Sequence, residues 1–309
     1  MEAARSRTKS AHSLRYVSIL IWFFVLSMPS YILAVNPIDT AGIRVIMIGA
    51  HPDDCDLNGG GTAALFVSMG YAVKFVSLTN GDAGHQSEKG PKLAARRLAE
   101  AQEAAHRLHV TYDVLDHHDG QLVPSVDIRL EVIRKIREWK ADIVIAPRPN
   151  DYHPDHRYAG VLVQDAAYMV MVPDIAPETP ALKKNPLFLY FQDRFSYPYP
   201  FQPDIAVDIN SVFDQKIDAL DAHESQVYEW LPWIGHYSDQ VPKNKADRKA
   251  WLAESRSIVI TPAVRASLEK WYGVERAAIV KHAEAFQICE YGMQPDKEQI
   301  RKLFPMLPK

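Results

Sequence analysis

The sequence predicts an α/β fold of the Rossmann-like, doubly wound kind, a mainly parallel sheet with helices on both faces. Three observations carry this. From residue 42, short runs rich in β-branched residues alternate with longer stretches of helical periodicity. Four such pairs follow one another, which is how crossover connections build a parallel sheet. Two of the runs end in loops dense in His and Asp, at the strand ends where open α/β sheets hold their ligands.

The first run, Ile43-Arg44-Val45-Ile46-Met47-Ile48, stops at Gly49-Ala50-His51-Pro52-Asp53-Asp54-Cys55-Asp56, and after Gly59-Gly60-Gly61 a helix is expected over 62–70. Ala72–Leu78 is the second strand and opens into the polar loop Thr79–His85. A helix over 91–108 leads to strand Tyr112–Asp116, and a helix over 127–140 leads to strand Asp142–Pro147. The second unusual loop, Asn150-Asp151-Tyr152-His153-Pro154-Asp155-His156-Arg157, precedes a helix over 158–171. In the common strand order 3-2-1-4-5, strands one and four are neighbours and the winding direction reverses between them. The two His/Asp loops are therefore expected to face each other across the crevice.

Composition excludes several classes. At 309 residues, 47% hydrophobic and 24% charged, the chain is an ordinary globular protein rather than a disordered one. Its formal net charge is −3, and removing residues 1–34 leaves 31 basic against 37 acidic residues, which argues against nucleic-acid binding. Two cysteines, Cys55 and Cys289, imply no disulfide framework. Residues 1–34 have the order of an export signal: Arg5, Arg7, Lys9 and Arg15, then Tyr16–Leu26, then Pro29 and a cleavage edge at Ala34. Tyr16–Val35 also approaches the ~20 residues of a membrane anchor, although Pro29 interrupts it. A secreted or periplasmic location, with or without an anchor, is expected.

One imidazole and three carboxylates within His51–Asp56 are costly together unless something positive neutralises them, and a divalent metal does so. Three ligands of mixed nitrogen and oxygen type with one open position is the pattern of a hydrolytic zinc site. His51 and Asp54 would supply two ligands, and His156 or His153 the third. Asp53 or Asp155 would then take a proton from water. The same donors suit iron(II).

His51-Pro52-Asp53-Asp54, Thr79-Asn80-Gly81-Asp82, Asp119-Gly120-Gln121-Leu122 and His153-Pro154-Asp155-His156, each after a strand, resemble the motifs of the PIG-L/LmbE family of zinc-dependent de-N-acetylases, in the family's order. The resemblance spans about residues 42–230 and makes 35–309 a single domain of this kind with a C-terminal extension. It implies His51, Asp54 and His156 as zinc ligands, Asp53 as general base, His153 as oxyanion stabiliser or acid, and Asp155 as the partner that orients His153. Arg97, in Arg97-Leu98-Ala99-Glu100, is implied as a substrate contact, as are Asp82 and His223. Asp151 stands where some members carry a tyrosine acid, with Tyr152 beside it, so the acid stays open. The implied activity is removal of acetyl from an N-acetylglucosamine-type sugar. The alternatives are an amidase on another small amide or thiol conjugate, and a carbohydrate-binding protein without turnover.

Other features read as structural. Cys55 is expected to be small and packed, and His85, His106, His109, His117 and His118 lack paired ligand spacing. Gly59-Gly60-Gly61 lacks the spacing of a dinucleotide loop. Residues 173–204, including Phe195–Phe201, are expected to be a loop over the core or an aromatic rim; Trp230, Trp233 and Tyr237 invite the same reading. An exposed helix is expected near 245–256, and a helix over 275–288 docking on the domain.

Overall fold

The strands are β1 (Arg44–Gly49), β2 (Ala72–Thr79), β3 (Thr111–His117), β4 (Ile143–Ala146), β5 (Leu187–Phe191), β6 (Ile205–Asp208) and β7 (Ala283–Gly292). The computed structural model describes residues 42–256 and 260–308; the expected signal or anchor at 1–34 lies outside the described residues. The strands form one sheet in the order β3-β2-β1-β4-β5-β7-β6. The pairs from β3 to β5 are parallel, and β7 runs antiparallel to both β5 and β6. The predicted adjacency of β1 and β4 holds, with Val45 beside Ile143 and Met47 beside Ile145.

Side-chain alternation along β1 splits the core into two layers. Val45 and Met47 pack with helices α1 (Asp54–Ser68), α2 (Gly90–Leu108) and α5 (Phe213–Asp221) on one face. Ile46 and Ile48 pack with α3 (Val126–Trp139) and α4 (Pro154–Met169) on the other. Residues 45–48 are fully buried, as a central parallel strand covered on both faces requires.

Two expectations are corrected. Helix α1 begins at Asp54, not after the glycines, so Asp54 and Asp56 lie in its first turn. The glycines sit inside the helix because it presses against its neighbours: a Cβ on Gly59 would lie 2.5 Å from Met47 Sδ, and one on Gly61 would lie 2.8 Å from Ile209 Cδ1. The backbone N–H groups of Gly61 and Thr62 donate to the Glu284 carboxylate at 2.9 and 2.7 Å. That carboxylate also takes Lys216 Nζ at 2.7 Å.

The expected helix over 275–288 is a short helix, Val274–Ile279, followed by strand β7. Ala283, Ala285 and Phe286 are buried there, so a strand of mostly small residues imitated a helical apolar face. Strand β5 also interrupts the region 173–204 expected to be loop. The helix Lys245–Ser255 is present as expected, and Cys55 is fully buried.

Candidate metal centre and its cavity

The loop after β1 and the loop before α4 meet at the carboxyl ends of the strands. His51 Nδ1 lies 3.1 Å from His156 Nε2. Asp54 completes the group, its Oδ1 3.4 Å from His156 Nε2 and its Oδ2 3.8 Å from His51 Nδ1. Donors bound tetrahedrally at about 2.0–2.1 Å stand about 3.3 Å from one another. His51, Asp54 and His156 therefore lie side by side, and among the described residues the groups whose donor atoms all lie within 4.8 Å of one another are His51 with His153 and His156, and His51 with Asp119 and Asp155. Asp54 is held in place by the backbone N–H groups of Ala50 and His51, which donate to Oδ2 at 2.8 and 2.9 Å.

The outward-facing nitrogens are also engaged. His51 Nε2 lies 3.0 Å from Asp119 Oδ1 and 3.4 Å from Asp155 Oδ2, and His156 Nδ1 lies 3.0 Å from Asp151 Oδ1. A carboxylate behind each imidazole fixes the ring and raises its basicity, the arrangement that supports histidine ligands in metal sites. Burial lowers the His51 pKa, but Asp119, Asp155 and Asp54 outweigh it and bring it to about 9. His156 is pushed up to about 11, burial being outweighed by Asp54 and Asp151. The same imidazoles hold the Asp54 carboxyl far below the usual range, against its burial. The donor set and its supporting carboxylates fit a divalent cation.

His153 caps helix α4: its Nδ1 accepts the Asp155 backbone N–H at 3.2 Å. The neutral ring therefore carries its proton on Nε2. Burial, then the neighbouring His51 and His156, pushes its pKa down, so the ring is neutral at pH 7 and presents a donor. Its centroid lies 4.7 Å from that of His51.

Asp53 precedes the first turn of α1, and Arg97 Nη2 donates to its Oδ1 at 3.0 Å. Arg97 is 2% exposed, reaches the Gly81 carbonyl at 3.3 Å and stands 3.6 Å from Asp119. Gly81 sits at φ +69°, and a Cβ there would fall 2.5 Å from the guanidinium. The Thr79–Asp82 motif therefore leaves room for the arginine that holds Asp53.

Several residues have roles other than those expected. The Asp155 carboxylate does not turn to His153; it accepts the backbone N–H of Gly120 at 2.6 Å and faces His51. Its position at the first turn of α4, behind the His51 ring, decides this. Arg97 bonds Asp53 and also lines the larger of the two cavities described below. Asp82 accepts the Asp119 N–H at 3.0 Å and His118 Nδ1 at 2.6 Å, so it shapes the loop that carries Asp119. His223 is fully buried 3.3 Å from Asp56 and cannot touch a substrate. The partners that sequence reading left without a role, Asp119 and Asp151, belong to motifs it had noted. Only the folded chain shows which ring each one meets.

Two cavities of about 590 and 890 Å³ open at this centre and share Asp54, Leu57, Asn58, Tyr152, His156 and Arg194. His51, Asp53, Asp119 and His153 line the larger one. Phe195 lines the smaller cavity and Trp230 the larger, with Trp233 stacked on Trp230 at 5.4 Å. Arg148 anchors the Phe195 loop through Asp193 and the carbonyls of Phe195 and Tyr199. Among the described residues, no helix is long and apolar enough to cross a membrane.

A family profile described as PIG-L, GlcNAc-PI de-N-acetylase, matches residues 46–167, which carry every residue of the centre. The chain is 32% identical over 202 residues to diacetylchitobiose deacetylase of Thermococcus kodakarensis, covering 62% of this chain and 74% of the relative. It is 25% identical over 225 residues to 4-oxalmesaconate hydratase of Pseudomonas putida, covering 69% and 85%. A solved N,N′-diacetylchitobiose deacetylase of Pyrococcus horikoshii shares the fold with a TM-score of 0.59 at 24% identity, covering 83% of this chain and 88% of that one.

Proposed function

Because the chain belongs to the PIG-L family of de-N-acetylases, we propose that it is a metal-dependent hydrolase removing acetyl from the nitrogen of an N-acetylglucosamine-type sugar or glycoconjugate. The observation that carries the reading is the meeting of His51 Nδ1 and His156 Nε2 at 3.1 Å beside Asp54, with Asp53 lining the same cavity. His51, Asp54 and His156 would hold the ion, and zinc suits their mixed donors. When bound, the ion supplies Lewis acidity, drawing electron density from the amide carbonyl and making water more acidic.

The chain's own groups account for the proton movements. Asp53, held by Arg97, takes a proton from the water that attacks the carbonyl carbon. His153 donates from Nε2 to the carbonyl oxygen as charge develops on it, an interaction of the kind worth about 10²–10³ in rate. The proton gathered by Asp53 passes to the sugar nitrogen as the C–N bond breaks, so acetate and a free amine leave. Asp119, Asp155 and Asp151 keep the two ligand rings oriented.

The test is acetate release from a panel of N-acetylated sugars by zinc-loaded protein and by the same protein stripped with chelator. Release confined to the loaded form supports the reading; no release from any sugar rejects it. Similarity to the hydratase favours a second reading, addition of water across a carbon–carbon double bond of an unsaturated acid. Loss of the acid's ultraviolet absorbance without acetate release would point there. The N-terminal run supports export or membrane attachment, checked by fractionating cells that express the full chain against cells expressing a chain that starts at Val35.

A further inference from the structure

The two cavities at the centre differ in their walls. Asp53 and His153 line only the larger, so the reacting carbonyl belongs at its end of the centre, whereas Asp54 and His156 line both and stand where the two join. From there the smaller cavity runs between apolar side chains of three elements: Leu57 from α1, Pro147 after β4, and Phe191 and Phe195 at and after the end of β5. Phe191 is 3% exposed, and its ring is set against α1, Cε1 falling 3.2 Å from where a Cβ on Gly59 would be. The Phe195 ring centroid lies 6.4 Å from that of Tyr152, which in turn lies 5.6 Å from that of His156. Of the charged groups bordering this cavity, Asp193 takes Arg148 at 2.7 Å, Asp151 meets His156 at 3.0 Å and Glu284 takes Lys216 at 2.7 Å, while Arg194 is exposed to solvent.

Resting on the deacetylase reading, we propose that the acyl group removed is not limited to acetyl: the smaller cavity takes the hydrocarbon chain of a longer N-acyl group while the sugar occupies the larger one. The carbonyl carbon of an amide is trigonal, so its acyl chain and its nitrogen leave in different directions. Two cavities that join at the same pair of side chains match two diverging substituents. Which substituent goes where follows from the walls. A sugar brings hydroxyl groups that need partners, and the larger cavity offers Gln226 and Ser255 besides the centre itself. A hydrocarbon chain has no such need and gains by leaving water for Leu57, Phe191 and Phe195.

The space agrees. An acetyl methyl is about the size of one water molecule, whose share of the liquid is about 30 Å³, whereas the smaller cavity holds about 590 Å³. That volume alone falls within the roughly 300–1,000 Å³ of a small-ligand pocket. The bond changes are those of the deacetylase reading. The oxygen of water joins the carbonyl carbon, the C–N bond breaks, and the proton gathered by Asp53 leaves on the sugar nitrogen, so a longer carboxylic acid takes the place of acetate.

The experiment gives the zinc-loaded full chain the methyl glycosides of N-acetylglucosamine and N-hexanoylglucosamine, and the pentyl glycoside of N-acetylglucosamine. The last is an isomer of the second, with the extra carbons moved to the aglycone, and liberated amine is measured for all. Each methylene transferred from water to an apolar wall is worth about fourfold in binding, so hexanoyl should exceed both acetyl compounds by at least about tenfold in kcat/KM, mainly through KM. Phe195 is held by its backbone, its N–H donating to Asp193 Oδ1 at 2.9 Å and its carbonyl accepting from Arg148 Nη2 at 3.1 Å, so its side chain can be exchanged without releasing the loop. Phe195→Asp puts a charge in the wall and should lower the hexanoyl-to-acetyl ratio about tenfold. Phe195→Leu should keep most of that ratio, and Lys183→Gln, exposed and outside both cavities, should leave it intact.

Hexanoyl used no better than acetyl by wild type overturns the inference. So does a pentyl isomer used as well as the hexanoyl compound, which would put the chain on the aglycone side, or a Phe195→Asp chain that loses activity on all three equally. Equilibrium binding of the same compounds to the Asp53→Asn chain separates this from the activity. Amine released from the acetyl compounds with no preference for chain length sinks the acyl cavity and leaves the deacetylase reading standing. Tighter binding of the hexanoyl compound with no amine released from any of the three does the reverse.

Discussion

Removing the metal should make the protein's stability fall as the pH rises, because of how His51 and His156 face each other. Their nitrogens, 3.1 Å apart, can share one proton but cannot each carry one. That proton is held more tightly in the folded chain than in the unfolded one: Asp119, Asp155 and Asp54, overcoming burial, bring His51 to about 9, against about 6.5 for an unperturbed imidazole. A group whose folded pKa is raised contributes stability that is complete below the unfolded value and disappears as pH climbs through the folded one. The difference corresponds to about 3 kcal/mol. In a domain of this size it translates to at least roughly 6–12 °C in Tm, lost from about pH 6.5 upward through the folded values of about 9 for His51 and about 11 for His156.

His223, raised by Asp56 against its burial, titrates in the same direction, so a melting curve of the metal-free chain alone is not decisive. The zinc-loaded chain supplies the control: the shared proton is gone, while His223 is unchanged. The separation between loaded and metal-free Tm should widen with pH across that window. Calorimetric zinc titrations near pH 7, in two buffers of different ionisation enthalpy, should report about one proton released per ion bound. A constant Tm separation, or binding that releases no proton, would refute the shared-proton geometry.

Asp53→Asn should keep its metal, because Asp53 is not one of the three facing donors, yet lower turnover by about 10²–10⁴; zinc content by atomic absorption and acetate release measured together check it. His156→Ala should lose stoichiometric zinc, and full occupancy in that variant would move the third ligand elsewhere. Asp119→Asn, which leaves the ligands in place and removes the carboxylate behind His51 at 3.0 Å, should weaken zinc binding or activity about 10–100-fold. Lys216→Met strands the Glu284 carboxylate on the backbone of α1 and should cost about 3–5 kcal/mol in urea denaturation; the double variant Lys216→Met/Glu284→Gln should recover part of that loss.

The parallel half of the sheet was legible because its strands are buried on both faces and therefore read as unbroken apolar runs, β1 and β4 most of all. The antiparallel end was not. Strand β7 spends much of its buried length on Ala283, Ala285 and the charged Glu284, and Ile288 is its one β-branched residue, so its pattern lacks clean alternation. Its placement depends on α1: Glu284 stays buried because Gly61, Thr62 and Lys216 satisfy it. Neither the helical glycines nor the buried glutamate can be understood from its own neighbours in sequence. Each makes sense only with the other, more than two hundred residues away.

The same division separates the parts of the centre. The proposed ligands were readable from short motifs, since His51 and Asp54 come from one turn and His156 from the next such loop. Residues that face the other side of each ring were not, because a carboxylate behind an imidazole can arrive from any loop at that rim. Asp119 comes from the end of β3, Asp155 from α4, and both meet His51 from β1. That is also why Asp155 was assigned to its neighbour His153. Sequence proximity joined them, whereas the N-cap points the His153 ring nitrogen at the Asp155 backbone and sends the carboxylate toward Gly120 and His51. The motif His153-Pro154-Asp155-His156 therefore places four residues with four orientations, which in the proposed mechanism are a donor to the carbonyl oxygen, a helix start, a support for a ligand on another loop, and a ligand. A substitution at Asp155 should accordingly disturb metal affinity through His51 and not the acid–base step through His153. Asp155→Asn should lower zinc affinity while the pH dependence of kcat at saturating zinc stays in place; a shifted kcat profile with unchanged zinc affinity would return Asp155 to His153.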